Sequence, residues 1–141
     1  MSARLLVICT ANICRSPAAE RLFAARLGSS VQVVSRGVRA YSGAPMCSAS
    51  ANWVLMNGGG SGEGHRSEPL QLADVRAATL ILTSTRKHRA EVLTLRPSAQ
   101  VRTFTLAQAA RIASWRLDRG AQPEGEDPAE RLLWLLSLIH I

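Results

Sequence analysis

The chain has 141 residues, 47% of them hydrophobic, and its 17 basic and 10 acidic side chains leave a formal net charge of +7. That length suits a single domain with a real core, spanning residues 1–141, and is too short for two. The positive excess suits any anionic partner, but aromatics are only 4% and the basic residues are scattered except at Thr85–Arg89, which argues against a stacking platform for nucleic acid. No run approaches the roughly 18–20 apolar residues of a membrane span, and the N-terminus has no signal-peptide cleavage pattern. Three cysteines, Cys9, Cys14 and Cys47, without paired zinc spacing fit a reducing cytoplasm better than a disulfide scaffold. Cys47 has no partner in the pattern and reads as structural. His65, His88 and His140 are isolated, which favours surface or capping positions and no metal.

In chain order, Arg4–Ile8 is an apolar run ending at a loop, the pattern of a strand buried on both faces. "SPAAERLFAARLG" follows, with Ser16 as a helix cap, Pro17 in the first helical position and Gly28 at the close, which predicts a helix over Pro17–Leu27. Val31–Ser35 reads as a second strand, and a turn-rich stretch leads to a helix over Ser48–Met56. "NGGGSGEG" (Asn57–Gly64) has five glycines and predicts a flexible connector. A third strand at Thr79–Thr83, a helix stopped near Pro97, a fourth strand at Val101–Thr105 and a further helix from Leu106 complete the alternation. Residues 120–128 read as a polar linker before a last apolar helical segment. Four strands alternating with helices imply a three-layer α/β architecture, a parallel sheet flanked by helices. Such sheets bind ligands beyond the carboxyl ends of their strands.

The loop from Cys9 to Arg15 lies at such an end. A phosphate is held well where backbone N–H groups converge and the following helix turns its positive end inward. "CTANICRS" offers that arrangement, with Arg15 returning a planar guanidinium that pairs bidentately with phosphate oxygens. A positive cradle favours thiolate over thiol, and a thiolate facing a phosphoester is a placed nucleophile. Cys-x5-Arg is a weak pattern by itself; the buried strand before it, the Pro-started helix after it, and Asn12, Ser16 and Pro17 sharpen it.

"VICTANICRSPAAERLF" resembles the active-site segment of the low-molecular-weight protein tyrosine phosphatases, Cys-x-Gly-Asn-x-Cys-Arg-Ser-Pro. The resemblance implies a flavodoxin-like phosphatase I fold and protein-tyrosine-phosphatase activity through a cysteinyl-phosphate, with no metal or cofactor. Cys9 would be the nucleophile and Arg15 the transition-state clamp. Thr10, Ala11, Asn12, Ile13, Cys14, Arg15 and Ser16 would form the phosphate cradle, Asn12 holding its shape and Ser16 assisting the thiolate. Cys14 matches a second cysteine that can pair reversibly with the nucleophile, and Ala11 stands where glycine is usual. Ser35–Pro45 is similar to the family's Ser-Ala-Gly-Thr segment, which makes Tyr41 one wall of the phosphotyrosine pocket and Ile13 the other. Arg36 and Arg39 read either as charges near its mouth that attract acidic phosphopeptides or as solvated charges. "GHRS" and "LILTSTRKH" resemble two further landmarks. The implied partner is a phosphotyrosine protein or a small aryl phosphate.

The family draws its general acid from a late Asp-Pro loop. Here Asp127-Pro128 is followed by Ala129 rather than an aromatic, and Asp-Pro is also an ordinary helix start, so both roles stand open for Asp127. The short, apolar end suggests a C-terminal truncation that leaves the closing helix incomplete. The alternatives are an arsenate reductase of the same fold, against which the lack of cysteines after Cys47 counts, and a non-catalytic phosphate or phosphoprotein binder.

Overall fold

The first strand has no polar face. In β1 (Ala3–Cys9), Leu5 and Val7 enter one apolar cluster and Leu6 and Ile8 the other, all four completely buried. Successive side chains leave a strand on opposite faces, so β1 must lie inside a sheet covered on both sides. The computed structural model, which describes residues 3–120, places it there. Strands β1, β2 (Val31–Gly37), β3 (Leu80–Thr83) and β4 (Thr103–Thr105) pair in parallel in the order β2-β1-β3-β4. Helices α1 (Arg15–Leu27) and α5 (Leu106–Asp118) cover the Leu5 side through Ala19, Phe23, Leu27, Leu106 and Ala109. On the Leu6 side, α3 (Leu72–Ala77) and α4 (Arg86–Leu95) bring Val75 and Val92. Helix α2 (Ser48–Met56) packs on α1 through a small cluster of Ala18, Met46 and Val54.

The expected parallel α/β sheet is the observed one, with local differences. Helix α3 was not foreseen: six residues are too few to show a helical period, and it is started by a reciprocal cap between Gln71 and Asp74. Strand β4 begins at Thr103 because Pro97–Arg102 wind into a 3-10 turn. Helix α1 begins at Arg15, and Ser16 does not cap it; its hydroxyl is used elsewhere, as described below. The glycine-rich connector is packed in part. A Cβ on Gly59 would lie 2.7 Å from Val54, and one on Gly62 2.8 Å from the Met46 sulfur. Most of the linker assigned to residues 120–128, Asp127 and the apolar end all lie outside the described residues. Among the described residues no helix is long and apolar enough to cross a membrane.

The strand order fixes where a ligand can enter. The chain leaves β1 toward β2 on one side and returns to β3 on the other, so the loops at the carboxyl end of β1 diverge and open a crevice. Cys9 is the last residue of β1.

Candidate active site

The loop after Cys9 turns on Asn12, the one non-glycine residue with positive φ among the described residues (φ 58°). Asparagine tolerates this left-handed region better than other side chains. The same observation disposes of the Ala11 departure: Ala11 needs no positive φ, so glycine is not required there. Asn12 is fully buried and its amide is fully used. Its nitrogen donates to Ser16 Oγ and Ser35 Oγ, both at 2.9 Å, and its oxygen accepts the Glu68 N–H at 2.9 Å. The Asn12 carbonyl meets His65 Nε2 at 2.7 Å. His65, placed at the surface by sequence reasoning, is 6% exposed because this bond draws it inward.

Ser16 Oγ lies 2.9 Å from Cys9 Sγ. That oxygen accepts from Asn12 and lies 3.4 Å from the Arg36 carbonyl, so its one proton serves either that carbonyl or the sulfur. Around the loop the carbonyls point outward to the scaffold. Those of Cys9 and Thr10 take Val38 and Arg39 N–H, that of Ile13 takes Cys47 N–H, and that of Cys14 takes Ala18 N–H. The amides of Ala11 to Arg15 find no protein acceptor among the described residues, and the loop runs directly into the positive end of α1. The scaffold can approach so closely because Gly37 ends β2: a Cβ there would stand 2.6 Å from the Thr10 carbonyl oxygen and 2.9 Å from Asn12 N.

The exposed Arg15 guanidinium reaches back to Thr10 Oγ1 at 3.3 Å. His88 Nε2 approaches the same hydroxyl at 2.8 Å, and His88 Nδ1 accepts the Thr85 N–H at 3.2 Å. Nδ1 is therefore an acceptor, Nε2 carries the proton, and Thr10 Oγ1 receives two donors. Burial, with added repulsion from Arg15 and Arg39, holds the His88 imidazole below its ordinary pKa. His88 also caps α4, as a capping role predicts, but it is 4% exposed rather than on an exposed face.

The remaining predicted residues divide. Thr10, Ala11, Asn12, Ile13, Cys14, Arg15 and Ser16 lie together on the loop, with Cys9 at its base. Tyr41 stands 89% exposed on a segment whose backbone is tied down by Ser67. Arg36 and Arg39, expected either near the mouth or as solvated charges, pair with Asp74 at 3.3 Å and Glu91 at 2.8 Å. Cys47 does have a partner: Cys14 Sγ is 2.7 Å from Cys47 Sγ. Ser35, His65, Ser67 and Gly37 were not singled out as site residues, although "SRG" and "GHRS" carried their signal.

Residues 4–118 match the family model described as low molecular weight phosphotyrosine protein phosphatase. The chain is 38% identical over 104 residues to the low molecular weight protein-tyrosine-phosphatase Etp of Escherichia coli K12, covering 74% of this chain and 69% of Etp. It is 37% identical over 108 residues to a protein-arginine-phosphatase of Geobacillus stearothermophilus, covering 77% of this chain and 72% of that protein. Among solved structures, a low molecular weight protein tyrosine phosphatase from T. tengcongensis superposes with a TM-score of 0.68 at 27% identity, over 99% of this chain and 96% of that one.

Two outcomes follow from the geometry. Gly37→Ala forces β2 away from the loop carbonyl and weakens vanadate binding at least tenfold, read by calorimetry; an unchanged affinity would show that the loop does not depend on this contact. The His88 proton affinity is lower in the folded than in the unfolded chain, so the folded state loses stability as pH falls below the unfolded imidazole value of about 6.5. Denaturation midpoints measured from about pH 7.5 to 5 should therefore fall more steeply for the wild type than for His88→Gln, and parallel profiles would refute the assignment.

Proposed function

The chain belongs to the low molecular weight phosphotyrosine protein phosphatase family, and from that premise we propose that it hydrolyses phosphotyrosine monoesters through a cysteinyl-phosphate on Cys9. The observation that carries the reading is the Cys9–Ser16 bond inside a loop whose amides from Ala11 to Arg15 are unspent. The phosphoryl group lies in the cradle, with its oxygens taking those N–H groups and the Arg15 fork. Cys9 thiolate attacks phosphorus in line as the bond to the tyrosyl oxygen breaks. Ser16 donates to the sulfur, which steadies the thiolate before attack and again when water displaces it from phosphorus. Thr10, already receiving His88 and Arg15, has its own proton left to give to a phosphate oxygen.

Tyr41 and Ile13 are the apolar side chains proposed to receive the aromatic ring. We place Arg39 near the same mouth, where it opposes a cationic phosphoguanidinium group more than the uncharged ring of a phenyl phosphate. Proton delivery to the leaving oxygen is assigned to Asp127 because Asp127-Pro128 matches the family's late Asp-Pro pair; the competing role is an ordinary helix start. The substrate class is a phosphoprotein, and free thiols at Cys9, Cys14 and Cys47 suit the reducing cytoplasm in which we place it.

Hydrolysis of p-nitrophenyl phosphate and of matched phosphotyrosine and phosphoarginine peptides tests the reading. Vanadate-sensitive turnover with preference for phosphotyrosine, lost in Cys9→Ser, is expected. Preference for phosphoarginine would move the substrate class, and phosphate binding without turnover would make the protein a binder. Asp127→Asn should slow phosphotyrosine hydrolysis by about 100- to 10,000-fold while sparing p-nitrophenyl phosphate, whose leaving group needs little protonation. Equal rates on both substrates before and after substitution would leave Asp127 as a helix start.

A further inference from the structure

Cys14 and Cys47 form a dithiol that the phosphatase reaction does not use. Their sulfurs are 2.7 Å apart, within an ångström of the ~2.05 Å disulfide bond, although 33 positions separate them in the chain. The approach is built in by the backbone: Cys14 precedes α1, Cys47 precedes α2, and Cys47 N–H holds the Ile13 carbonyl at 2.8 Å. Both thiols are half-buried, while Cys9 is 2% exposed. Cys14 lines the apolar groove between α1 and α2 together with Ser50 and Trp53, so a small oxidant can reach the pair from that side.

The two sulfurs are chemically unequal. The Cys14 S–H donates to Cys47, which lowers the pKa of Cys47 and raises that of Cys14. Ser50 and the first amides of α2 support the negative charge on Cys47 further. Cys47 is thus the readier of the two to lose its proton, and Cys14 the readier to keep it.

We propose that Cys14 and Cys47 are an oxidation site at which hydrogen peroxide forms a reversible disulfide and leaves Cys9 reduced. Cys47 thiolate attacks one peroxide oxygen, the O–O bond breaks, and the hydroxide that leaves takes a proton from solvent to become water, giving a sulfenic acid on Cys47. The Cys14 sulfur then attacks the Cys47 sulfur, forming S–S and breaking S–O. The Cys14 proton and the departing hydroxide leave as water. Each sulfur gives up one electron, and one peroxide becomes two waters. A Cys14 engaged in this way is withdrawn from Cys9, so the pairing of nucleophile and neighbour that the family resemblance implies is diverted to Cys47.

The experiment treats the full chain with one equivalent of hydrogen peroxide, alkylates the remaining thiols and maps the linkages by tandem mass spectrometry. Cys9 and Cys14 share one tryptic peptide, so fragmentation must place the link. The expected product joins Cys14 to Cys47, with Cys9 alkylated, and dithiothreitol reverses it. Cys9→Ser should form the same link, which separates this proposal from the phosphatase reading because no turnover is needed. In Cys47→Ser, peroxide should instead join Cys9 to Cys14. That variant should lose most of its own untreated p-nitrophenyl phosphatase activity until reduced, while the wild type keeps most of its activity. A main Cys9–Cys14 link in the wild type, or no link at all, would overturn the proposal.

Discussion

The crevice depends on one buried asparagine. Asn12 takes the left-handed conformation that turns the loop, and its side chain fastens that turn to three other places at once: Ser16 at the helix entry, Ser35 on β2 and the backbone at Glu68. The choice of residue follows from the count of donors. Glycine would tolerate the backbone but join nothing. Aspartate has the shape but offers no N–H to the two hydroxyls. A buried group left unpaired costs about 1–3 kcal/mol, and truncating Asn12 would strand several in one place. With the asparagine present, the Ser16 hydroxyl is held in place 2.9 Å from the Cys9 sulfur.

A second constraint is that the loop's polarity is sorted by direction. Its carbonyls are bonded to the scaffold through Val38, Arg39, Cys47, Ala18 and His65, which turns the peptide planes and leaves the amides from Ala11 to Arg15 for an anion. The sorting is enforced by long-range partners rather than by the loop itself. Gly37 belongs to this scheme, since any side chain there would push on the Thr10 carbonyl. The neutral His88 belongs to it as well. An imidazolium beside Arg15 would add repulsion next to the group that must grip the phosphate, and burial keeps His88 uncharged. Its one N–H then serves Thr10 at 2.8 Å.

What the sequence made legible was local. The strand, loop and helix around Cys9 announce themselves because an apolar run, a proline and a glycine act over a few residues, and the sheet follows from their repetition. The partners that hold the loop are 23 positions away at Ser35 and 53 at His65. A lone histidine or serine carries no periodicity, so nothing in composition marks it as buried. Cys47 was misread as unpartnered for the same reason, since its contact with Cys14 exists only when α1 and α2 are packed. Ser16 was expected both as a cap and beside the Cys9 thiolate; its hydroxyl makes no cap bond and lies 2.9 Å from the sulfur.

The buried scaffold is over-determined, and the mouth above it is not. Relatives that match this chain at nearly equal identity are named for tyrosine and for arginine phosphatase activity, so the cradle by itself does not choose the leaving group, and fold is no guide to that choice. On the proposed reading, discrimination falls to Ile13, the solvent-exposed Tyr41 ring and the exposed Arg39–Glu91 pair. An exposed pair of this kind is worth at most about 1 kcal/mol and can open at little cost. Opened, it presents a guanidinium and a carboxylate, each able to meet charges on the segments that flank a phosphorylated residue. On that reading the buried cradle sets the chemistry through partners on several elements, while selectivity rests on a few solvent-screened groups at its mouth.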